Sequence, residues 1–415
     1  MKIRVRFSRG RILFLMYLLP IQVPIYLDGE KTLLSSEWFR SLLLLRDSFE
    51  GKFGDIAVAA PSLPASVSTE QTLVEVPRNG EGLRLFPSFD KRTRARQFWM
   101  RDRARWKADL ALLLEEAKVV HAGLDDVYRP IAFEGFRAAL RLNKPTVFVQ
   151  DTDAVAQHRQ LAESRGIAAR GKMAVYTRIY ERLCRWGVAR ADLALLKGSA
   201  LMRRYGAFAK NAREFHDTSY SRSDIIPESD LEQRLATLKE SRLLRFVYCG
   251  RLTPRKGVAT SLTILPPDVE FDIIGDGPER AKLESAATGK KIRFLGALPY
   301  GPELLKRLAS YDALLFTPSA EDTPRMIFDG YAAGLPLVAT DIPYVQERAA
   351  EEKAAVILPM NDLEKSAMML QALNTNRNQL AELSRAARSA ADYHAAENWY
   401  RRRADWTFEA VERHR

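Results

Sequence analysis

Ten short apolar runs, each followed by a stretch of helical composition, constrain this chain more than any other feature. They are residues 12–19, 55–60, 119–122, 146–150 and 193–196 in the first half, and 246–249, 271–274, 292–295, 313–316 and 337–339 in the second. Runs that are apolar at successive positions suit strands covered on both faces. Their alternation with helices predicts an α/β protein with two parallel, doubly wound sheets. At 415 residues the chain is too long for one ordinary core. A polar, Pro-containing segment without periodicity, residues 217–228, is the expected linker. The expected domains are therefore residues 1–227 and 228–394, with a basic, Trp-containing helix over 395–415.

Composition removes several alternatives. With 47% hydrophobic and 28% charged residues and no repeat period, the chain is neither disordered nor collagen-like nor a solenoid. Cys184 and Cys249 lie far apart, so they make neither a disulfide framework nor a CxxC metal site, which suits a reducing cytoplasm. Lys2, Arg4, Arg6, Arg9 and Arg11 precede the first apolar run in the manner of a signal peptide. No small-residue cleavage site follows before Asp28-Gly29-Glu30-Lys31, however, and Pro20, Gln22 and Pro24 interrupt the run. A membrane helix needs roughly 20 apolar residues, so the run reads as a buried first strand. The net charge of +12 is uneven: residues 1–230 carry +11 and residues 231–415 carry +1.

Three strand-to-helix turns in the second half have the composition of anion sites. Gly250-Arg251-Leu252-Thr253-Pro254-Arg255-Lys256-Gly257 follows the run at 246–249 directly. Arg251 and Lys256 can aim at one point beyond the carboxyl end of that strand, where open α/β sheets bind ligands, and two cations there suit a diphosphate. An ordinary solvated basic turn fits the same residues equally. Gly275-Asp276-Gly277-Pro278-Glu279-Arg280 half-matches a dinucleotide fingerprint, but Arg280 replaces the third glycine, so it reads as a structural turn. In the third turn, Thr323 is expected as N-cap and Pro324 as first helical residue. Backbone N–H groups at Arg325 and Met326, aided by the helix dipole, would then hold a phosphate. Helix-start stabilisation accounts for Asp322, whereas Glu321 faces the crevice and can accept hydrogen bonds from hydroxyls. Asp329 is expected about a turn and a half into the helix.

GRLTPRKG, IIGDGPER, FLG and PSAEDTPRMIFDGYAAGLPLVATD, in this order and spacing, resemble the C-terminal domain of GT-B-fold retaining glycosyltransferases of family 4. The likeness covers residues 246–347 well. It implies two Rossmann-like domains facing a central cleft, with the closing Trp399-containing helix crossing back to the first domain. It also implies that Arg251 and Lys256, with Gly250 beside them, bind the pyrophosphate of a nucleotide-sugar. Glu321 would bind donor-sugar hydroxyls, amides around Thr323, Pro324, Arg325 and Met326 would touch sugar and phosphates, Asp329 would bind the ribose, and Leu295 and Gly296 would flank the base. The chain departs from the pattern in several places. Asp329 stands where the family has glutamate, and Arg325 where it usually has an apolar residue. The catalytic-site histidine after a middle strand is missing, and Gln150-Asp151-Thr152-Asp153 stands there instead. Either Asp151 or Asp153 does its orienting work, or both only cap the next helix. His121 fits a packed core position as well as a site position, and Gly29 is the candidate for the family's glycine loop after the first strand.

Residues 91–107, KRTRARQFWMRDRARWK, hold eight basic residues, one acid and Phe98, Trp99, Met100 and Trp106. Basic groups interleaved with aromatics suit attachment to an anionic membrane surface. No RNA or DNA module accompanies them, so nucleic acid is not expected. A solvated helix face with some packed aromatics is the plainer alternative. The resulting expectation is a cytoplasmic enzyme, peripheral on the inner membrane face, transferring a hexose-type sugar from a nucleotide diphosphate donor to a glycan or lipid-linked acceptor. No metal and no cofactor beyond the donor is expected. A nucleotide-sugar epimerase of the same plan, and a decayed nucleotide-sugar-binding protein, are the alternatives.

Overall fold

The computed structural model describes residues 16–68, 72–163, 166–238, 243–320 and 322–414. The chain divides into two compact units, one holding residues up to Phe215 together with those from Tyr400 onward, the other His216–Trp399.

The first unit is built on a sheet of β1 (Met16–Pro20), β2 (Ile25–Asp28), β3 (Lys31–Ser35), β4 (Ile56–Pro64), β5 (Leu73–Glu75), β6 (Asn79–Gly80), β7 (Leu83–Asp90), β8 (Ala117–Gly123), β9 (Thr146–Gln150), β10 (Leu193–Lys197) and β11 (Ala212–Phe215). Its order is β11-β10-β9-β8-β1-β4-β2-β3-β5, with β7 on β4 and β6 on β7. The strands from β11 to β4 pair in parallel, with Leu18 opposite Val120 and Gly123 opposite Val149. Every residue of β1 and of β10 is buried, as strands covered on both faces require. The five sequence-expected strands of this half lie on β1, β4, β8, β9 and β10. Residues 12–15 of the first run, with the basic residues before them, lie outside the described residues. The strands β2 and β7, both parallel to β4, the antiparallel additions β3, β5 and β6, and the parallel strand β11 are not expected from the sequence.

The second unit holds β12 (Leu244–Cys249), β13 (Val269–Ile274), β14 (Ile292–Gly296), β15 (Ala313–Phe316), β16 (Leu337–Thr340) and β17 (Ala355–Leu358). All pair in parallel in the order β14-β13-β12-β15-β16-β17. This is the doubly wound order whose direction of winding reverses between β12 and β15, leaving a crevice at their carboxyl ends. All five expected strands are present, and β17 is added.

The boundary between the units differs from the expectation. Residues 217–228 are not a free linker: Tyr220, Ile225 and Ile226 belong to the core of the second unit. The Tyr220 hydroxyl donates to the Ala391 carbonyl at 2.7 Å, and the Ile226 N–H donates to the Ala332 carbonyl at 2.8 Å. A polar sequence with isolated apolar anchors hides this docking. The closing helix Ala396–His414 gives its part from Tyr400 onward to the first unit. There Asp405 pairs with Lys52 at 2.9 Å and His414 approaches Asp192 at 2.8 Å.

Candidate active site

In the second unit the turn after β12 is docked on the loop after β15. Gly257 has φ +69°, and a Cβ there would lie 1.6 Å from the Thr317 carbonyl oxygen, so only glycine permits the contact. Thr317 Oγ1 donates to the Gly257 carbonyl at 2.7 Å, and the Ser319 N–H donates to the Arg255 carbonyl at 3.0 Å. The buried Asp322 carboxylate then receives two of the turn's three cations, Lys256 Nζ at 2.5 Å and Arg255 Nη1 at 2.8 Å. Burial alone would raise the Asp322 pKa, but the charges of Lys256 and Arg255 outweigh it and hold the carboxyl below its ordinary value. The sequence reading, which left Asp322 to helix-start stabilisation, is corrected: it is the bridge between two turns. Sequence distance hid it, because its partners lie about 66 positions away.

The neighbouring turns are stitched to the first. The Leu252 N–H donates to the Asp276 carbonyl at 2.8 Å and the Gly275 N–H to the Gly296 carbonyl at 2.7 Å. A Cβ on Gly275 would stand 1.9 Å from the Gly250 carbonyl oxygen. The glycines of the second turn thus serve turn-to-turn packing, as the sequence reading held. Gly250, Leu295 and Gly296 all lie on this edge, at the ends of β12 and β14.

The helix after β15 is shorter than expected. It runs Met326–Ala332 with Arg325 at its N-cap position, so Thr323 is not the cap and Pro324 precedes the helix. The Thr323 N–H instead donates to Asp322 Oδ1 at 3.1 Å. A sharp turn built around the buried Asp322 delays the helical start. Asp329 consequently sits in the first turn, buried, and accepts a hydrogen bond from the Tyr300 hydroxyl at 2.9 Å. Arg325 is half-buried and donates to Ser219 Oγ at 2.9 Å. Arg251 is exposed, and its carbonyl accepts from the Tyr248 hydroxyl at 2.9 Å. Glu321 lies outside the described residues. An exposed guanidinium and an ammonium steered by a carboxylate, both beside the β12/β15 crevice, are suited to a phosphate ligand.

In the first unit the strand order reverses between β8 and β1, and two aspartates stand by that point. Asp151 follows β9 and is exposed; Asp125 follows the adjacent β8. Asp125 is exposed, yet neighbouring protein partly desolvates its carboxyl and, with the Asp151 charge adding to the rise, pushes it up to about 6. The Gln22 backbone N–H donates to the same carboxyl, drawing in the loop after β1. Sequence reasoning missed Asp125; its position just beyond an apolar strand end was the available signal. Asp153 is structural: buried, it pairs with Arg204 at 2.9 Å and caps the next helix through the Ala156 N–H at 3.0 Å. His121 is a core residue, buried, with Nδ1 at 2.5 Å from the Tyr17 hydroxyl, and burial drives its pKa well down. Gly29 is not in the turn after β1. It occupies the first loop position of the two-residue β2–β3 hairpin, with φ +57°.

The basic segment 91–107 is partly absorbed by the fold. Phe98 and Trp106 are core residues, Arg92 pairs with Asp90, Arg101 with Asp102 and Arg103 with Glu134. Trp99 and Met100 remain exposed. Among the described residues no helix is long and apolar enough to cross a membrane.

Residues 244–376 match the family model described as glycosyl transferases group 1. A GDP-mannose-dependent alpha-mannosyltransferase of Mycobacterium tuberculosis is 29% identical over 247 residues, 56% of this chain and 59% of that protein. An alpha-D-kanosaminyltransferase of Streptomyces kanamyceticus is 29% identical over 163 residues, 36% of this chain and 42% of that protein. The chain thus spans less than two thirds of the length of these curated relatives. Among solved structures, HepE of Anabaena in complex with UDP superposes with a TM-score of 0.64 at 13% identity, covering 95% of this chain and 99% of that one. WaaG, a glycosyltransferase involved in lipopolysaccharide biosynthesis, gives 0.59 at 15% identity over 94% and 99%. The fold is GT-B.

Proposed function

We propose that the chain is a retaining glycosyltransferase that moves a hexose-type sugar from a nucleotide diphosphate donor to a glycan or lipid-linked acceptor. The observation that carries this reading is the docking of the Arg251–Lys256 turn onto the 317–322 loop through Asp322 at the β12/β15 crevice. The matched family model covers this region, and the mannosyltransferase and the UDP complex of HepE make a nucleotide-sugar the fitting ligand class.

In this reading Arg251 and Lys256 neutralise the diphosphate as it leaves, assisted by backbone amides of residues 323–326. Such preorganised charge costs no reorganisation at the moment of reaction. Asp329, oriented by Tyr300, takes the ribose hydroxyls; Leu295 and Gly296 flank the base. Glu321 takes hydroxyls of the donor sugar. Asp151 orients the reacting groups on the acceptor side, with Asp125 beside it. A leaving phosphate oxygen accepts the acceptor's proton on the same face, so the anomeric configuration is kept.

The test is incubation with UDP-, GDP- and ADP-sugars, with and without a lipid or glycan acceptor, followed by NMR of the product linkage. Transfer with the donor's anomeric configuration retained supports the reading. Conversion of the donor without any acceptor supports the epimerase alternative instead, and inverted product removes the retaining mechanism.

A further inference from the structure

The helix Ile167–Arg190 presents an uncommon face to solvent. It carries six basic residues and a single acid, Glu181. Its inner face is fixed by buried Thr177, Tyr180, Cys184, Gly187 and Val188. On the other side, Ile167 is 87% exposed, Val175 58% and Ile179 44%, with Ala168, Gly171 and Ala174 exposed among them. Val175 and Ile179 lie one turn apart, and Ile167 lies two turns before Val175, so they form one stripe. Arg178 and Arg182 are interspersed on the same face and Arg170 and Lys172 border it, all exposed, and none enters an ion pair among the described residues. Glu181, the acid that would offset them, is itself committed to Arg185, at 2.8 Å, and Arg204, at 3.6 Å.

The stripe is not isolated. Tyr176 of this helix packs on Tyr128 with ring centroids 5.2 Å apart, and the Tyr128 carbonyl accepts from Trp99 Nε1 at 2.7 Å. Trp99 leads to Met100, which is 76% exposed. Exposed Ile, Val, Met and Trp on one tract of a single unit are costly in water and mark a contact surface. Their bordering cations select the contact: apolar side chains inserted shallowly beneath a ring of lysine and arginine match an anionic lipid bilayer. An acidic protein would satisfy the cations but leave the stripe without a matching apolar partner.

We propose that this helix, joined to Trp99 and Met100, docks the protein on an anionic membrane surface. The membrane contact expected from residues 91–107 thus widens: that segment supplies Trp99, Met100 and exposed cations, and the helix supplies the longer apolar face with exposed cations of its own. Membrane docking by this helix is independent of the donor site and is read without activity.

The experiment is flotation of the full chain with vesicles of phosphatidylcholine alone or mixed equally with phosphatidylglycerol. Binding to the mixed vesicles, reduced by high salt, is expected. Val175→Asn with Ile179→Asn, and separately Arg178→Ser with Arg182→Ser, should each weaken it on the order of tenfold or more. Arg178→Lys with Arg182→Lys should retain it, which separates charge from folding. Equal binding to neutral vesicles, no binding to either, or unchanged binding by both double variants overturns the proposal. Retention on immobilised RNA without vesicle binding assigns the surface to nucleic acid. A dimer that dissociates on Val175→Asn with Ile179→Asn, again without vesicle binding, assigns it to a second copy of the chain.

Discussion

Lys256 Nζ lies 2.5 Å from Asp322 Oδ2, joining the turn after β12 to the loop after β15 across the point where the sheet reverses its winding. Arg255 reaches the other oxygen of the same carboxylate at 2.8 Å. One buried acid therefore sets the position of a cation assigned to the donor phosphates. Asp322→Asn should keep the loop packed but loosen Lys256, lowering kcat by about tenfold to a hundredfold, with a smaller change in thermal stability. Steady-state kinetics beside a melting curve check this. Because the folded-state pKa is depressed, the stability contributed by Asp322 is present above its ordinary value and is lost only as pH falls through the lower folded value. The melting temperature of the wild type minus that of Asp322→Asn should therefore be constant from neutral pH to mildly acidic pH, and shrink only at strongly acidic pH.

Gly257→Ala attacks the same junction through the backbone. The new Cβ would meet the Thr317 carbonyl at 1.6 Å and the residue would hold φ +69°, so the two turns must separate. A loss of stability above about 1 kcal/mol is expected from the backbone strain alone, together with loss of nucleotide affinity. A chemical-denaturation curve with nucleotide titration reads both. Gly29→Ala, in an exposed hairpin turn with nothing within 4 Å of the added Cβ, should lose some stability through its positive φ but keep nucleotide affinity.

Asp125 gives a pH dependence of the opposite sign. Its folded-state pKa is raised from 3.8 to about 6, so between these values the folded protein holds more protons than the unfolded chain and stability falls as pH rises. Asp125→Asn should therefore raise the melting temperature relative to wild type above about pH 6, with the difference fading toward pH 4. A series of melting curves across this range is the check; an equal difference at every pH contradicts the raised pKa.

Much of this was legible in the sequence, for physical reasons that can be named. The parallel strands announce themselves because burial on both faces forces apolar residues at successive positions, as in Leu193–Lys197 and Ala313–Phe316. The turn glycines and cations at 250–257 are legible because their spacing is local. The hairpin β2–β3 and strand β7 were not, since β3 is short and alternating and Pro87 interrupts β7. Nor were relationships set by folding alone. Asp322 reads as an ordinary helix-start acid until Lys256 and Arg255 are seen around it, and Asp153 reads like Asp151 until Arg204 is seen beside it. His121 was open between core and site until Tyr17 closed on its ring.

The core assignment of His121 is itself testable. Burial keeps the ring neutral, so His121→Ala should destabilise the first unit by about 2–4 kcal/mol through the cavity and the lost hydrogen bond to the Tyr17 hydroxyl. Activity per folded molecule should change little. A loss of kcat without loss of stability would return His121 to the site.

The most direct measurement is calorimetric titration of UDP and GDP into the wild-type protein and into Arg251→Ala and Lys256→Ala. At least one nucleotide should bind the wild type, and each substitution should weaken that binding by about tenfold or more, as loss of a charge-assisted phosphate contact requires. Transfer rates should fall by about a hundredfold or more. Tight nucleotide binding that is unchanged in both variants would contradict a diphosphate site at the β12/β15 crevice.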